Sequence, residues 1–191
     1  MIEIYYPSIV NPDRYVQPRV LVEIGSRSLR EPFSIRSIYS IIDEHSKGKT
    51  FADDSIEIPT VNPERTFLEK VFLLHEEFQK PVEKIRVVRL SRHLYDLERI
   101  MDTDYGKVAM EDKLLYHTIV EHRRTINRIR GIDYANHSPD HIYFLPPKEL
   151  LNDWKKDYET MQESMIYGTS LPFEKLIERM EELKNRFRKI V

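Results

Sequence analysis

The sequence predicts an α+β fold in which a small N-terminal β-sheet region is followed by a C-terminal helical bundle. Up to residue 61, short apolar segments rich in isoleucine and valine alternate with turn-forming residues, which is typical of strands. From residue 62 onward, apolar residues recur every three or four positions, which is typical of amphipathic helices. We therefore divide the chain into a β-region of residues 1–61 and a helical bundle of residues 62–191.

The composition is that of a globular protein with a heavily charged surface. Of the 191 residues, 40% are hydrophobic and 32% are charged. The net charge of −2 gives no general attraction to nucleic acid or membrane, so any basic binding site must be local. The chain has no cysteine, which excludes disulfides, thiolate zinc sites and cysteine nucleophiles. Because no membrane-spanning run or signal-peptide pattern is found, we expect a cytoplasmic protein without a membrane partner.

The β-region contains four candidate elements. Residues 1–6, 19–24 and 55–59 have apolar side chains at alternate positions, which predicts short strands. Residues 33–42 fit either a strand or a helix, and their isoleucine content favours a strand. Residues 45–54 are polar and predict a loop.

Glu23 is the acid of the most regular predicted strand. Val20, Val22 and Ile24 face one side of that strand, and Glu23 faces the other. An acid in an apolar strand needs a partner, solvent or a function. Two interpretations therefore stand equally: an edge-strand glutamate that faces water, or a carboxylate placed at a functional site.

The clearest helix begins near Asn62. Asn62 suits the N-cap, Pro63 suits the first helical position, and Glu64 complements the positive end of the helix dipole. The apolar face repeats at helical spacing, with Phe67, Val71, Leu74 and Phe78. Glu69 points away from this face, whereas Lys70 lies on its flank and can extend its ammonium into a cleft. A capped core helix with ordinary surface charges accounts for the same periodicity.

A second helix is predicted after the basic connector of residues 82–90. Its core face comprises Leu90, Leu94, Leu97 and Met101. His93 and Asp96 cluster on one flank, and Arg92 lies one turn before Asp96. An exposed Arg92–Asp96 pair contributes only about 0.3–0.5 kcal/mol. In the functional alternative, Arg92 and His93 bind phosphate, while Asp96 orients them or Lys70.

The rest of the chain predicts three further helices and a loop. Residues 109–129 predict one long helix, in which His122 is a hydrogen-bonded core histidine and the basic end is a solvated face rather than an RNA contact. Residues 132–147 predict a loop, whose two histidines and aspartate match no metal-binding spacing. Helices are predicted over residues 151–165 and from residue 172, the last with a heptad pattern of apolar residues.

Two motifs on the first two helices resemble those of a known family. Residues 63–70 read Pro-Glu-Arg-Thr-Phe-Leu-Glu-Lys, and residues 91–97 read Ser-Arg-His-Leu-Tyr-Asp-Leu. These motifs, in this order, resemble the AbiEii/AbiGii-type nucleotidyltransferase toxin family, and the similarity extends over the whole chain. The resemblance implies that residues 1–61 are a partial nucleotidyltransferase β-region and that residues 62–191 are the helical bundle that follows it.

The resemblance also implies which residues form the site. Lys70 and Asp96 match motif positions expected to be catalytic, and Lys70, Arg92 and His93 are expected to bind the nucleotide phosphates. Glu23 matches the strand acid that lies beside the paired metal-binding acids in nucleotidyltransferases of this type. Relatives use Mg²⁺ and a nucleoside triphosphate (NTP), have tRNA ends among their acceptors, and are accompanied by an antitoxin protein.

The paired metal-binding acids of the family are not visible in this sequence. In the family, a Gly-Ser is followed by Asp-x-Asp on the next strand, because both carboxylates must face one Mg²⁺. No such pair follows Gly25-Ser26, which we interpret as a turn. The acids at residues 43–44 and 53–54 are adjacent, so their side chains would diverge on a strand. Mg²⁺ is therefore expected for the complete family enzyme, and no tight binding of it is expected for this chain.

Two functions are consistent with these observations. The first is nucleotidyl transfer from an NTP to an RNA or protein acceptor, by a truncated or incomplete copy that is inactive alone. The alternative is a non-catalytic helical module that binds a partner protein or RNA through its basic and heptad faces. Binding of metal and nucleotide by the purified chain would separate the two.

Overall fold

The computed structural model describes residues 1–9, 11, 17–25 and 32–189, and it confirms the α+β class. The strands in these residues are β1 (Ile2–Tyr5), β2 (Arg19–Val22), β3 (Phe33–Ile38) and β4 (Ile56–Val61). The helices are α1 (Ile41–His45), α2 (Pro63–Phe78), α3 (Ser91–Met101), α4 (Asp104–Glu111), α5 (Lys113–His122), α6 (Leu151–Met165) and α7 (Phe173–Phe187). A π-helical turn, Arg123–Asn127, extends α5.

The strands form two separate antiparallel hairpins, β1–β2 and β3–β4. In the second hairpin, Phe33 lies opposite Val61 at the end that leads into α2. The Ser34 hydroxyl on β3 donates a hydrogen bond of 2.8 Å to the carboxamide oxygen of Asn62, the residue before α2. The second hairpin is therefore attached to the N-terminus of α2.

The strand predicted over residues 33–42 is correct as far as Ile38 and wrong beyond it. Ser40 acts as the N-cap of α1, because its hydroxyl accepts a hydrogen bond of 3.0 Å from the backbone N–H of Asp43. The loop predicted from residue 45 therefore starts at the end of a short helix. Ser26, part of the predicted turn at Gly25-Ser26, lies outside the described residues.

The hydrophobic core lies in the helical bundle. α2 runs through it and buries Phe67, Leu68, Val71, Phe72 and Leu74. The surrounding helices α3, α6 and α7 contribute Leu94, Leu97, Met101, Trp154, Tyr158, Leu176, Met180, Leu183 and Phe187. Each such side chain contributes roughly 1.5–3 kcal/mol on burial. The heptad face predicted on the last helix is therefore inside the bundle.

No α-helix in the described residues is long and apolar enough to cross a membrane.

The single long helix predicted over residues 109–129 is wrong. The chain breaks at Asp112, where α4 ends, and the Asp112 carboxylate caps α5 by accepting a hydrogen bond of 2.8 Å from the backbone N–H of Leu115. Ile126 and Ile129, which regular helical spacing over residues 109–129 would place on the apolar face with Leu115 and Ile119, are 48% and 39% exposed. The π-helical turn changes the residues per turn, and the helical spacing of apolar residues no longer follows the core there.

Candidate functional site

A cleft of about 480 Å³ lies between the N-terminal half of α2, α3 and the end of α5. Its polar lining includes Arg65, Thr66, Glu69, Lys70, His93 and Arg123. Two of the residues predicted from the sequence motifs, Lys70 and His93, therefore share one cleft. α2 supplies most of the charged lining, because its polar stripe runs beside the buried apolar face.

Lys70, which lines the cleft, forms an ion pair with Asp96. Nζ of Lys70 lies 2.6 Å from Oδ2 of Asp96 and 3.4 Å from Nδ1 of His93. The predicted proximity of Lys70 and Asp96 is confirmed, although 26 positions separate them. Arg92 is exposed on α3 and is not among the residues that line the cleft. The structure thus brings Lys70, His93 and Asp96 together, while the roles assigned to them stay predictions.

His93 is buried beside the Lys70 ammonium. Burial, together with the positive charges of Lys70 and Arg92, lowers the pKa of His93 from 6.5 to about 4. His93 is therefore neutral near pH 7, and its Nδ1 is able to accept a hydrogen bond from the lysine. A neutral histidine positions the ammonium without adding another positive charge to the cleft.

α3 is held at its N-terminus by a side chain from α6. The carboxylate of Asp157 accepts hydrogen bonds from the backbone N–H of Arg89 (2.6 Å), the backbone N–H of Ser91 (3.1 Å) and the Ser91 hydroxyl (2.5 Å). Arg89 has a φ of 62°, so the chain turns sharply just before α3. The residue at the N-cap position of α3 makes no capping hydrogen bond with its side chain. Asp157 of α6 caps the helix instead and thereby fixes where the site residues of α3 lie.

Replacing Asp157 by alanine should lower the free energy of unfolding by about 1–2 kcal/mol, because backbone N–H groups of Arg89 and Ser91 lose their acceptor. The measurement is urea unfolding followed by circular dichroism. Asp153→Ala is the matched control, since Asp153 is an exposed residue one turn earlier on the same helix. Equal losses in the two variants would contradict the capping role.

A buried ion-pair network forms another wall of the cleft. Arg123 is 7% exposed, and its Nε and Nη2 donate to the two carboxylate oxygens of Glu76 at 2.8 and 2.5 Å. Its Nη1 donates to Glu69, and Nε2 of His137 lies 3.2 Å from Glu76. Burial raises the pKa of Glu76, but hydrogen bonds from Arg123 and His137 outweigh burial and hold that pKa below its usual value. Glu76 therefore keeps its negative charge at neutral pH.

Of the two expectations for the end of α5, one holds only in part and the other is wrong. Arg124, Arg128 and Arg130 form an exposed basic face as expected, but Arg123 does not belong to it, because Glu76 and Glu69 of α2 bind it inside the protein. His122 is half-buried, and its Nδ1 is buried without a hydrogen-bond partner in the described part of the chain. One signal in the sequence could have indicated partners for Arg123: the spacing of Arg65, Glu69 and Glu76 places them on one face of α2.

His75, on the last turns of α2, is a second buried neutral histidine. Burial lowers its pKa from 6.5 to about 4, and the neighbouring His137 lowers it as well. Its Nδ1 lies 3.1 Å from the backbone nitrogen of Tyr143 in the loop that precedes α6. His75 thus links α2 to this loop in the form that carries no charge.

Acid should destabilise the protein between pH 6.5 and pH 4, because His75 and His93 take up protons more readily unfolded than folded. The stability that depends on these two neutral histidines is fully present above pH 6.5. It is lost as the pH falls from 6.5 towards the pKa of about 4 that both have in the folded protein. Between pH 7 and pH 5 we expect a loss of about 2 kcal/mol per histidine. Urea unfolding at pH 7, 6 and 5 measures it.

The same titration with His93→Asn should show a smaller pH dependence than the wild type. His117→Asn, which changes an exposed histidine on α5, controls for the substitution itself. A His93→Asn variant whose stability falls with pH as steeply as that of the wild type would contradict the assignment.

Comparison with known proteins identifies the family of this chain. A family model described as Nucleotidyl transferase AbiEii toxin, Type IV TA system, matches residues 2–183. The chain belongs to the AbiEii family. Searches of curated proteins and of solved structures gave no match. Because the AbiEii match includes both hairpins and most of the bundle, Lys70, His93 and Asp96 all lie inside it.

Glu23, matched to a metal-site acid of AbiEii-type enzymes, does not lie in the cleft. It directly follows β2, is exposed, and is not among the residues that line the cleft. The family resemblance would place Glu23 at the same site as Lys70, and this placement is not observed. The reason is that β1 and β2 pair only with each other in the described residues and form no part of the cleft wall. The assignment of Glu23 as a metal ligand stays a prediction.

The carboxylates around the AbiEii cleft do not fit Mg²⁺. Residues 1–9, 11, 17–25 and 32–189 contain no group of three or more His, Cys, Asp or Glu that is arranged to hold a metal ion. Glu69 and Glu76 both bind Arg123, and Asp96 binds Lys70. Mg²⁺ needs several convergent oxygen ligands, and each of these carboxylates already neutralises a cation of the protein.

Proposed function

We propose that this AbiEii-family chain binds an NTP in the cleft and serves nucleotidyl transfer to an RNA or protein acceptor. The observation that supports this most is the setting of Lys70. Its side chain is 21% exposed, it lines the cleft, and its ammonium lies between Asp96 and neutral His93. A half-buried ammonium attracts phosphate more strongly than an exposed one, because water screens it less.

The proposed chemistry transfers the nucleotidyl group from pyrophosphate to an acceptor hydroxyl. The acceptor oxygen bonds to the α-phosphorus of the NTP and gives up its proton to water, and pyrophosphate leaves with the electrons of the broken P–O bond. Positive groups must offset the negative charge on the phosphate oxygens in this step. Lys70 neutralises a phosphate, Asp96 orients Lys70, and His93 supports the lysine as a neutral neighbour. Arg92 adds positive potential near His93, in accordance with its effect on the His93 pKa.

The chain on its own is not expected to complete the transfer. Mg²⁺ in such reactions is held by convergent carboxylates, and the carboxylates around the cleft are engaged by Lys70 and Arg123. The cleft therefore serves for phosphate binding in our account, without a tightly bound metal. An antitoxin protein is the expected partner of a toxin of this family, and tRNA is among the expected acceptors.

The alternative function, a non-catalytic helical interaction module, has less support. It requires the apolar face of α7 and the basic end of α5 as binding surfaces. The apolar residues of α7 lie in the core, and Arg123 is buried in ion pairs with α2. The apolar face of α7 is therefore not open to a partner in this conformation, whereas Arg124, Arg128 and Arg130 at the basic end of α5 remain exposed.

The test is to incubate the purified chain with each labelled NTP, Mg²⁺ and bulk tRNA. We expect weak NTP binding that decreases with salt, because screening acts on charge–charge attraction, and no labelled tRNA. Failure of every NTP to bind at low ionic strength would contradict the proposed site. Robust labelling of tRNA that is lost in Lys70→Ala would contradict inactivity of the chain alone while supporting the cleft.

A further inference from the structure

We infer that Arg65, on the first turns of α2, is a second anion-binding residue of the cleft and binds a phosphate of the NTP triphosphate tail. The inference rests on the proposed function and adds a residue that the sequence motifs did not single out as a ligand contact. Arg65 lines the cleft together with Lys70, which lies five residues further along α2.

Arg65 is a buried cation without a close partner. It is 3% exposed, and in the described residues its Nε and Nη1 are buried and make no hydrogen bond. Its nearest carboxylate oxygen, Oε1 of Glu69, lies 3.8 Å from Nε, beyond hydrogen-bond distance. Buried polar groups almost always have a partner, so two orphaned donors on one guanidinium indicate that a ligand supplies it.

The charges around the cleft show why the Nε and Nη1 of Arg65 lack a hydrogen-bond acceptor. Two carboxylates, Glu69 and Glu76, both bind Arg123, and Asp96 binds Lys70. The only carboxylate within ion-pair distance of Arg65 in the described part of the chain is that of Glu69, which also binds Arg123 through its other oxygen, Oε2. A guanidinium has only donors and stays protonated in proteins, so its partner must be an acceptor and an anion in preference.

The position of Arg65 favours the triphosphate tail over the other parts of a ligand. Arg65 lies on the first turn of α2, where the helix dipole adds positive potential for an anion. Because Arg65 is almost fully buried, only a group that enters the cleft can reach it, and a triphosphate tail is narrow enough to do so. His122 also lines the cleft with an unpartnered buried nitrogen in the described structure, so orphaned polar atoms cluster at this one site.

The test measures binding of inorganic tripolyphosphate and thermal stability in the same set of variants. Arg65→Met removes the charge and keeps an unbranched side chain of similar length. We expect at least a tenfold loss of tripolyphosphate affinity and a melting temperature equal to or above that of the wild type, because a buried cation whose Nε and Nη1 make no hydrogen bond is removed. Arg124→Met is the matched control, since Arg124 is exposed and paired with Glu121, and it should change neither quantity.

The outcomes separate this inference from the proposed function. Loss of binding in Lys70→Ala but not in Arg65→Met would overturn the inference and leave the proposed function standing. A lower melting temperature with unchanged affinity in Arg65→Met would show a structural role and overturn it as well. Absence of tripolyphosphate and NTP binding in the wild type would overturn both.

Two further experiments address a folding defect of the variant and whether the bound phosphate belongs to a triphosphate tail or to RNA. If Arg65→Met does not fold, Arg65→Lys replaces it, and we expect weaker tripolyphosphate binding because a lysine lacks the planar set of donors. Wild-type affinity in Arg65→Lys would then contradict the role of the guanidinium. Binding of a short RNA but not of tripolyphosphate, lost on mutation of Arg65, would overturn the assignment to the triphosphate tail.

Discussion

Arg123→Met should lower the free energy of unfolding by about 3–5 kcal/mol, because it leaves the Glu76 carboxylate buried without its cation. Glu76 is 2% exposed and cannot turn to water without opening the bundle. His137 remains beside it, but a single imidazole does not replace the two hydrogen bonds from the guanidinium. In a protein of ordinary stability, this loss is a large part of the total free energy of unfolding.

Urea unfolding of Arg123→Met and Arg124→Met gives the comparison. Arg124→Met, which removes an exposed guanidinium paired with Glu121, should cost less than about 1 kcal/mol. Adding Glu76→Gln to Arg123→Met should recover part of the loss, because the uncompensated charge disappears. A loss below about 1 kcal/mol in Arg123→Met would contradict the account of the network.

Lys70→Ala should weaken NTP binding by about tenfold to a hundredfold, the equivalent of a charge-assisted contact of about 1.5–3 kcal/mol. The loss has two causes. The ammonium that meets phosphate is removed, and the Asp96 carboxylate, now unpaired, repels it. Isothermal titration with Mg²⁺–NTP at low ionic strength measures the effect.

Lys107→Ala is the matched control for Lys70→Ala. Lys107 is an exposed lysine on α4 that pairs with Asp104, so it has the same charge and a similar type of partner away from the cleft. Its removal should leave NTP affinity within about twofold, because exposed charges at a distance are screened by salt. Equal losses in the two variants would show only general electrostatic attraction and would contradict a specific role of Lys70.

The sequence was sufficient for the main helices and insufficient for their ends. α2 and α3 follow from apolar residues at helical spacing, and the structure confirms both. The break at Asp112 was missed because apolar spacing continues across it, although an aspartate three residues before Leu115 is a capping signal. Asp157 was also missed, because a side chain from another helix that caps α3 leaves no pattern near Ser91.

The site residues that could be predicted are those that lie inside one of the two sequence motifs, where helical spacing shows on which side of the helix they fall. Lys70 and Asp96 were placed together from two helix flanks, and the ion pair of 2.6 Å confirms that placement. Arg123 could not be assigned in this way, because it lies outside both motifs and no pattern in the sequence links it to Glu76, which is 47 positions away. Glu23 could not be located, because strand periodicity does not determine where a hairpin packs.

A crystal structure of the chain with a non-hydrolysable NTP analogue would show directly whether the triphosphate binds in the cleft. We predict that the triphosphate tail lies in the cleft, with phosphate oxygens within hydrogen-bond distance of Lys70 Nζ and of the Arg65 guanidinium. The Lys70–Asp96 distance of 2.6 Å should lengthen as the ammonium turns to phosphate. A tail bound outside the cleft, for instance at exposed Arg92, with the Lys70–Asp96 pair unchanged, would contradict the account.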